Sequence, residues 1–162
     1  MPIADSKRRQ ALDGMVTTLA GITAGATYEY TLSGTGQVSK VIDTADSRLK
    51  SGHAITIRVR DGEETFRNIH LMRGTEGNLQ VLVDIMMSRV TAEDMVDQFN
   101  DLLRDIHGAI DAARDLGTSG AIAEANIEAI TAPQYDLDNQ VAFAVVIVRV
   151  KYDYIAGQSG GL

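Results

Sequence analysis

The sequence predicts an α+β domain, a mainly antiparallel sheet of four to six strands flanked by two principal helices. Three observations predict it. Two segments, one near the N-terminus and one opening at Thr91, repeat apolar residues at helical spacing. Other segments alternate apolar with polar residues and are bounded by Gly, Asp and Asn, as strands with turns are. The helices are also segregated from runs of strands, where a parallel sheet would interleave them. At 162 residues the chain reads as a single domain over 1–156 with a Gly/Ser-rich, flexible tail at 157–162.

Residues 1–22 read as an amphipathic helix. Asp5 or Ser6 can cap it, Leu12, Met15, Val16 and Leu19 form its apolar stripe, and Gly21 and Gly25 end it. Tyr28–Leu32 alternates and reads as a strand, running into the turn Ser33-Gly34-Thr35-Gly36 and returning through the extended piece Val38–Ile42. The polar stretch Asp43–Gly52 reads as a loop. His53–Arg60 alternates strictly, and Asp61-Gly62 is the strongest two-residue hairpin signal, with Thr65–Leu71 as the returning strand. Gly74–Gly77 punctuates again before the strand that carries Leu79, Val81, Val83 and Ile85.

Thr91 reads as the N-cap of the second helix, with Glu93, Asp94 and Asp97 near its positive end. Its stripe is Met95, Phe99, Leu102, Ile106, Ala109 and Ala113, widened by Val96, Leu103 and Ile110, and Gly117 and Gly120 stop it. A short strand Asn126–Thr131, an interruption at Pro133, a turn at Asp136–Asn139 and a long strand Val141–Ile155 complete the chain.

That last strand departs from the pattern of a half-wet sheet. From Val141 to Val148 both of its faces are apolar, so both need cover. Two arrangements satisfy this: the helices take one face each, or a second subunit closes one face.

Charge and composition narrow the function. Fifteen basic residues against twenty-two acidic give a net charge of −7, which is the wrong sign for gripping a phosphate backbone. No cysteine is present, so there is no disulfide, thiolate metal site or thiol nucleophile. The cluster Lys7-Arg8-Arg9 is followed by residues too polar for an export core, and no apolar run reaches the ~20 residues of a membrane span.

Catalytic constellations are not evident. His53, His70 and His107 lack partners at ligand spacing. Asp94, Asp97, Asp101 and Asp105 form an acidic stripe that reads as a solvated helix face, with a divalent-metal site as the sharper alternative. Gly34-Thr35-Gly36 lacks the third glycine of a dinucleotide fingerprint, and Ser119 and Ser159 lack a nucleophile elbow. The expectation is a protein that is not an enzyme and uses no cofactor.

In element order the chain resembles the tail terminator (tail-completion) proteins of long-tailed bacteriophages. The likeness spans most of residues 7–155. It rests on the helix Arg9–Leu19, the Tyr-rich segment Tyr28–Leu32, the basic-tipped strand Ala54–Arg60 and the strand Asn78–Asp84. The Thr91 helix with Leu102–Ile106 and the final strand Phe143–Tyr152 complete it. The resemblance implies an α+β subunit assembled as a homo-hexameric ring. Such a ring caps the tail tube, stops its polymerisation and faces the head connector or neck. It implies a virion location at the tail–head junction and assembly in the host cytoplasm, with DNA passing through the ring; the charge and hydropathy above are what argue against specific nucleic-acid binding and a membrane partner. Arg58, Arg60, Arg149 and Lys151 are then candidates to pair with acidic groups on a neighbouring subunit or tube protein, or else charges that protect a sheet edge. Tyr152 and Tyr154 are candidates for the same interface or for capping the core. A small ligand-binding or regulatory α+β module is the alternative.

Overall fold

The computed structural model describes residues 7–41, 53–69, 74–89, 91 and 93–155. Asp5, Ser6, the loop Asp43–Gly52, His70, Ser159 and the tail lie outside the described residues. Along the chain come α1 (Lys7–Ala20), β1 (Val38–Lys40), β2 (Ile55–Ile69) and β3 (Gly74–Ser88). These are followed by α2 (Met95–Ala112), β4 (Glu124–Ile130), β5 (Gln134–Asp136) and β6 (Val141–Ile155). The sheet order is β1-β2-β3-β6-β4, with β5 on the same side of β6 as a further short partner. Every pairing is antiparallel except β1 with β2. The α+β class and the mainly antiparallel sheet are thus as expected.

β2, β3 and β6 are each 15 residues long and form the spine. The expected hairpin at Asp61-Gly62 is instead a bulge inside β2: Asp61 pairs with Val81, Glu64 with Leu79, and the ladder continues to Ile69 opposite Gly74. Thr65–Ile69 is therefore the same strand continuing, and Gly74–Gly77 lies within β3 rather than in a turn. A tight turn at Asp-Gly would have given up the pairs beyond it, each satisfying backbone groups that water would otherwise have to solvate.

The bulge also changes which side chains share a face. Ile57, Val59 and Asp61 face the helices, and after the extra residue Glu64 and Phe66 do, since their partners Leu79 and Gly77 belong to that side.

Tyr28–Leu32 is not a strand. Its backbone donors are taken elsewhere: Leu32 N–H donates to the Ile22 carbonyl at 3.0 Å, and those of Glu29 and Tyr30 go to α2. The segment is a loop that buries Ile22 and Leu32 against the helical layer. Gln37, itself buried, shapes its exit, accepting from Gly34 N–H at 3.1 Å and donating to the Thr31 carbonyl at 3.3 Å. The returning piece then pairs with β2, in parallel, instead of with Tyr28–Leu32.

α2 begins one turn later than expected. Asp94 is its N-cap residue, and the Thr91 hydroxyl donates to the Asp94 carboxylate at 3.0 Å. Met95, Phe99, Leu102, Ile106 and Ala109 are buried as the spacing requires, while Val96 is exposed.

A single apolar core joins α1, α2 and one face of the sheet. Leu79, Val81, Val83 and Ile85 of β3 supply it together with Ala144, Val146, Val148 and Val150 of β6, alternate residues in register. Both helices therefore pack on the same face. The arrangement with one helix on each face is overturned, because the loops joining helices to strands return to one side. No helix among the described residues is long and apolar enough to cross a membrane.

Candidate protein-interaction face

The face turned away from the helices is set by the ladder register. Across it run the rows Thr56–Met86–Phe143, Arg58–Asp84–Val145, Arg60–Leu82–Ile147 and, from β3 to β4, Gln80–Arg149–Asn126. Leu82, Met86, Phe143, Val145 and Ile147 stand here as a half-buried apolar strip, and Thr56, in the row of Met86 and Phe143, is fully buried. An open antiparallel face is ordinarily polar. This one is apolar in its centre and charged along its flanks, the anatomy of an interface with a dry middle and a polar rim.

Four of the six candidate residues, Arg58, Arg60, Arg149 and Lys151, lie on this face, brought together from two strands that are separated in sequence. Each has a contact within its own chain. Arg60 makes a bidentate pair with Asp84, Nε to Oδ2 at 2.7 Å and Nη2 to Oδ1 at 3.1 Å, which raises its already high pKa through that hydrogen bond. Arg149 donates to Glu128 at 2.6 Å, and Gln80 donates to the other oxygen at 3.3 Å. The Arg149 bond, with help from Gln80, holds the Glu128 carboxyl below its usual range. Lys151 lies 4.0 Å from Glu124, and Arg58 donates to the Ser39 hydroxyl at 3.0 Å. Arg60, Arg149 and Lys151 are thus matched by carboxylates of their own chain.

Tyr152 does not join them. It faces the helix side, 3% exposed, with its hydroxyl donating to the Glu64 carboxylate. Arg8, in the first turn of α1, pairs with both Asp61 and Glu64 across the bulge. Burial, then the hydrogen bond and charge of Glu64, push the Tyr152 hydroxyl far above its ordinary value. Tyr152 is a core-capping residue, held where α1 meets the bulge. Tyr154 is opposite Thr75 in the ladder, and its side chain lies outside the description.

The acidic stripe on α2 divides. Asp94 and Asp97 are exposed, and Asp101 pairs with Arg104 at 3.2 Å, as a solvated face requires. Asp105 is only 2% exposed and accepts the backbone N–H groups of Glu29 at 2.7 Å and Tyr30 at 3.0 Å. A signal for this lies in the spacing: each step of four residues turns about 40° around a helix, so the two such steps from Asp97 through Asp101 to Asp105 carry the stripe roughly 80° toward the buried side. Tyr30 adds a bond from its hydroxyl to the Gln98 carbonyl at 3.0 Å, and Glu29 pairs with Arg104 at 2.8 Å. Among the described residues no three His, Cys, Asp or Glu side chains are grouped to hold a metal ion.

A groove of about 610 Å³ separates α1 from α2, bordered by Asp13, Gly14, Thr17, Tyr28, Ala109 and Leu116. Its walls mix small residues such as Gly14, Thr17 and Ala109 with Tyr28 and Leu116, and among the described residues it contains no grouping of acid, base and nucleophile. The chain matches no protein-family model and no curated protein.

Proposed function

We propose that this protein is a structural assembly subunit, a tail terminator of a long-tailed bacteriophage that works as a ring of six copies capping the tail tube and facing the head connector. One observation carries the reading: both helices lie on one side of the sheet, leaving a half-buried apolar strip on the other side. Burying such a strip contributes about 25 cal/mol per Å² of apolar surface, a gain that association can collect and an isolated chain forgoes. The element order resembling tail terminators supplies the specific role. The matched flanking charges suit a face meant to be buried, since an unpaired charge there would oppose association. The net negative charge suits a conduit through which DNA must slide without sticking.

The test is polymerisation of tail tube protein with and without this chain. Sub-stoichiometric chain is expected to shorten the tubes and to be found at one tube end by gold labelling in electron microscopy. Tubes of unchanged length with no label at either end overturn the role. The ligand-binding alternative draws on the groove between the helices and predicts a rise in melting temperature with a small molecule from a metabolite set.

A further inference from the structure

We propose that the groove between α1 and α2 binds a small aliphatic ammonium, its hydrocarbon body on the apolar floor and its charged head at the C-terminal ends of the two helices. The proposal takes up the groove on which the ligand-binding alternative draws. It stands or falls independently of the terminator role.

The groove is built by the way the chain leaves α2. The connection after that helix presses directly onto α1, so that a Cβ built at Gly14 would fall 2.8 Å from the Leu116 carbonyl oxygen. Gly14, Ile22, Ala109 and Leu116 are buried and make an apolar floor, with the half-buried Tyr28 beside them. Thr17, Gly21, Ala112 and Gly117 form an exposed rim. At about 610 Å³ the space is of the size that holds a small molecule. The floor suits a hydrocarbon chain, and an aromatic ring at its border adds an attraction for a cation.

Charge selects the head group. Thr17 and Thr18 belong to the last turn of α1, and Ala109 and Ala112 to the last turn of α2, so both helices end at this groove. A helix C-terminus carries about half a negative charge, ordinarily offset by Lys, Arg or His nearby. Neither helix has a basic residue in its last turn. At α1 the Gly21 N–H donates to the Thr17 carbonyl at 3.1 Å and that of Ile22 to the Leu19 carbonyl at 3.2 Å. At α2 the Ala113 N–H is shared between the Ala109 and Ile110 carbonyls, both at 3.2 Å. The Thr18 and Ala112 carbonyls, one at each end, accept no backbone N–H among the described residues. Two like poles at one groove, on a protein of net charge −7, attract a cation and repel an anion. Asp13 at the border is not the anchor, because Lys40 and Arg9 already hold its carboxylate. It also lies about 12 Å along the helix from Gly21, a separation at which salt screens its charge.

The test is an NMR titration of the whole, isotope-labelled chain at neutral pH with hexylamine, 1-hexanol and hexanoate, which share a hydrocarbon body and differ in charge. Amide shifts at Thr18, Gly21, Ala112 and Gly117 give the dissociation constants. Hexylamine is expected to bind at least about fivefold more tightly than hexanol and to weaken as salt rises, while hexanoate does not saturate. Ala112→Lys places an ammonium of the chain's own at the rim and is expected to lower hexylamine affinity at least about fivefold, whereas Ala112→Gln keeps it.

Hexanol binding as tightly as hexylamine, or equal losses in the two Ala112 variants, overturns the proposal. Amine-induced shifts as large at the exposed Asp97 as in the groove do the same, since they report unspecific attraction. Tighter binding of a blocked lysine, Nα-acetyl-lysine amide, overturns the free amine in favour of a lysine on a partner chain. If Ala112→Lys does not fold, the three-ligand series decides alone. A melting temperature raised by an uncharged metabolite, without amine binding, rejects the ammonium and leaves the ligand-binding alternative standing, and tube-end capping is read separately from all of these.

Discussion

The ring of Tyr152 occupies the space in which a side chain at Gly77 would stand: a Cβ built there falls 2.3 Å from the ring atoms Cε2 and Cζ. The two residues are directly paired on β6 and β3, and Phe66 of β2 completes their row. Glycine at this position is a consequence of packing. It lets an aromatic ring cross the sheet and deliver its hydroxyl to Glu64, three residues past Asp61 in the bulged strand.

Gly77→Ala is therefore expected to destabilise the protein by about 1–3 kcal/mol through overpacking, measured by urea unfolding. In a Tyr152→Ala background the same change should cost little, because the obstructing ring is gone. Equal costs in the two backgrounds would show that the pair is not coupled.

Tyr152 should also shape the alkaline limb of stability. Its folded-state pKa is raised, so the protonated phenol is the form the fold favours. The contribution is fully present below the unfolded value of about 10 and is lost as pH rises above it toward the raised folded value. Stability measured across pH 9 to 12 should fall more steeply for the wild type than for Tyr152→Phe. Parallel slopes would refute the assignment.

Asp105 fastens the loop before β1 to α2. Asp105→Ala leaves two backbone N–H groups without their acceptor and should cost about 1–3 kcal/mol. Asp105→Asn keeps one oxygen able to accept both and should cost less. Hydrogen exchange at the Glu29 and Tyr30 amides reads the effect locally: faster exchange in the Ala variant is expected, and unchanged protection there would contradict the clamp.

On the open face, Arg149 and Gln80 depress the Glu128 carboxyl. A carboxylate depressed in the fold contributes stability above its unfolded value, about 4.3, and loses it as pH falls through the folded value. Carboxyl NMR titration should show Glu128 returning toward the ordinary range in Arg149→Met. A Glu128 value that does not move would mean that the 2.6 Å contact is absent in solution.

Much of this architecture was legible along the chain. Val141–Ile155 is a strand over the span its composition and turn signals mark, and the Met95, Phe99, Leu102, Ile106 stripe is buried as its spacing requires. Periodicity of this kind is local: it needs only the side chains on one element and the knowledge that one side is dry. The two-sided apolar run of β6 likewise announced that something must cover each face, without saying what.

The tertiary structure decided where locally equivalent choices led. Asp61-Gly62 favours a turn by its own conformational preferences, yet Val81 and Leu79 on β3 stabilise a bulge instead, and pairing is a contest between segments that no window of sequence contains. Tyr28–Leu32 alternates like a strand, but the buried carboxylate of Asp105, more than seventy residues away, takes two of its amides. The side of the sheet on which each helix lands is fixed by how the connections return, so only the folded chain shows both helices together and the half-buried strip of Leu82, Val145 and Ile147 on the other side. Hydrophobic pattern sets what must be buried; register and chain path determine against what.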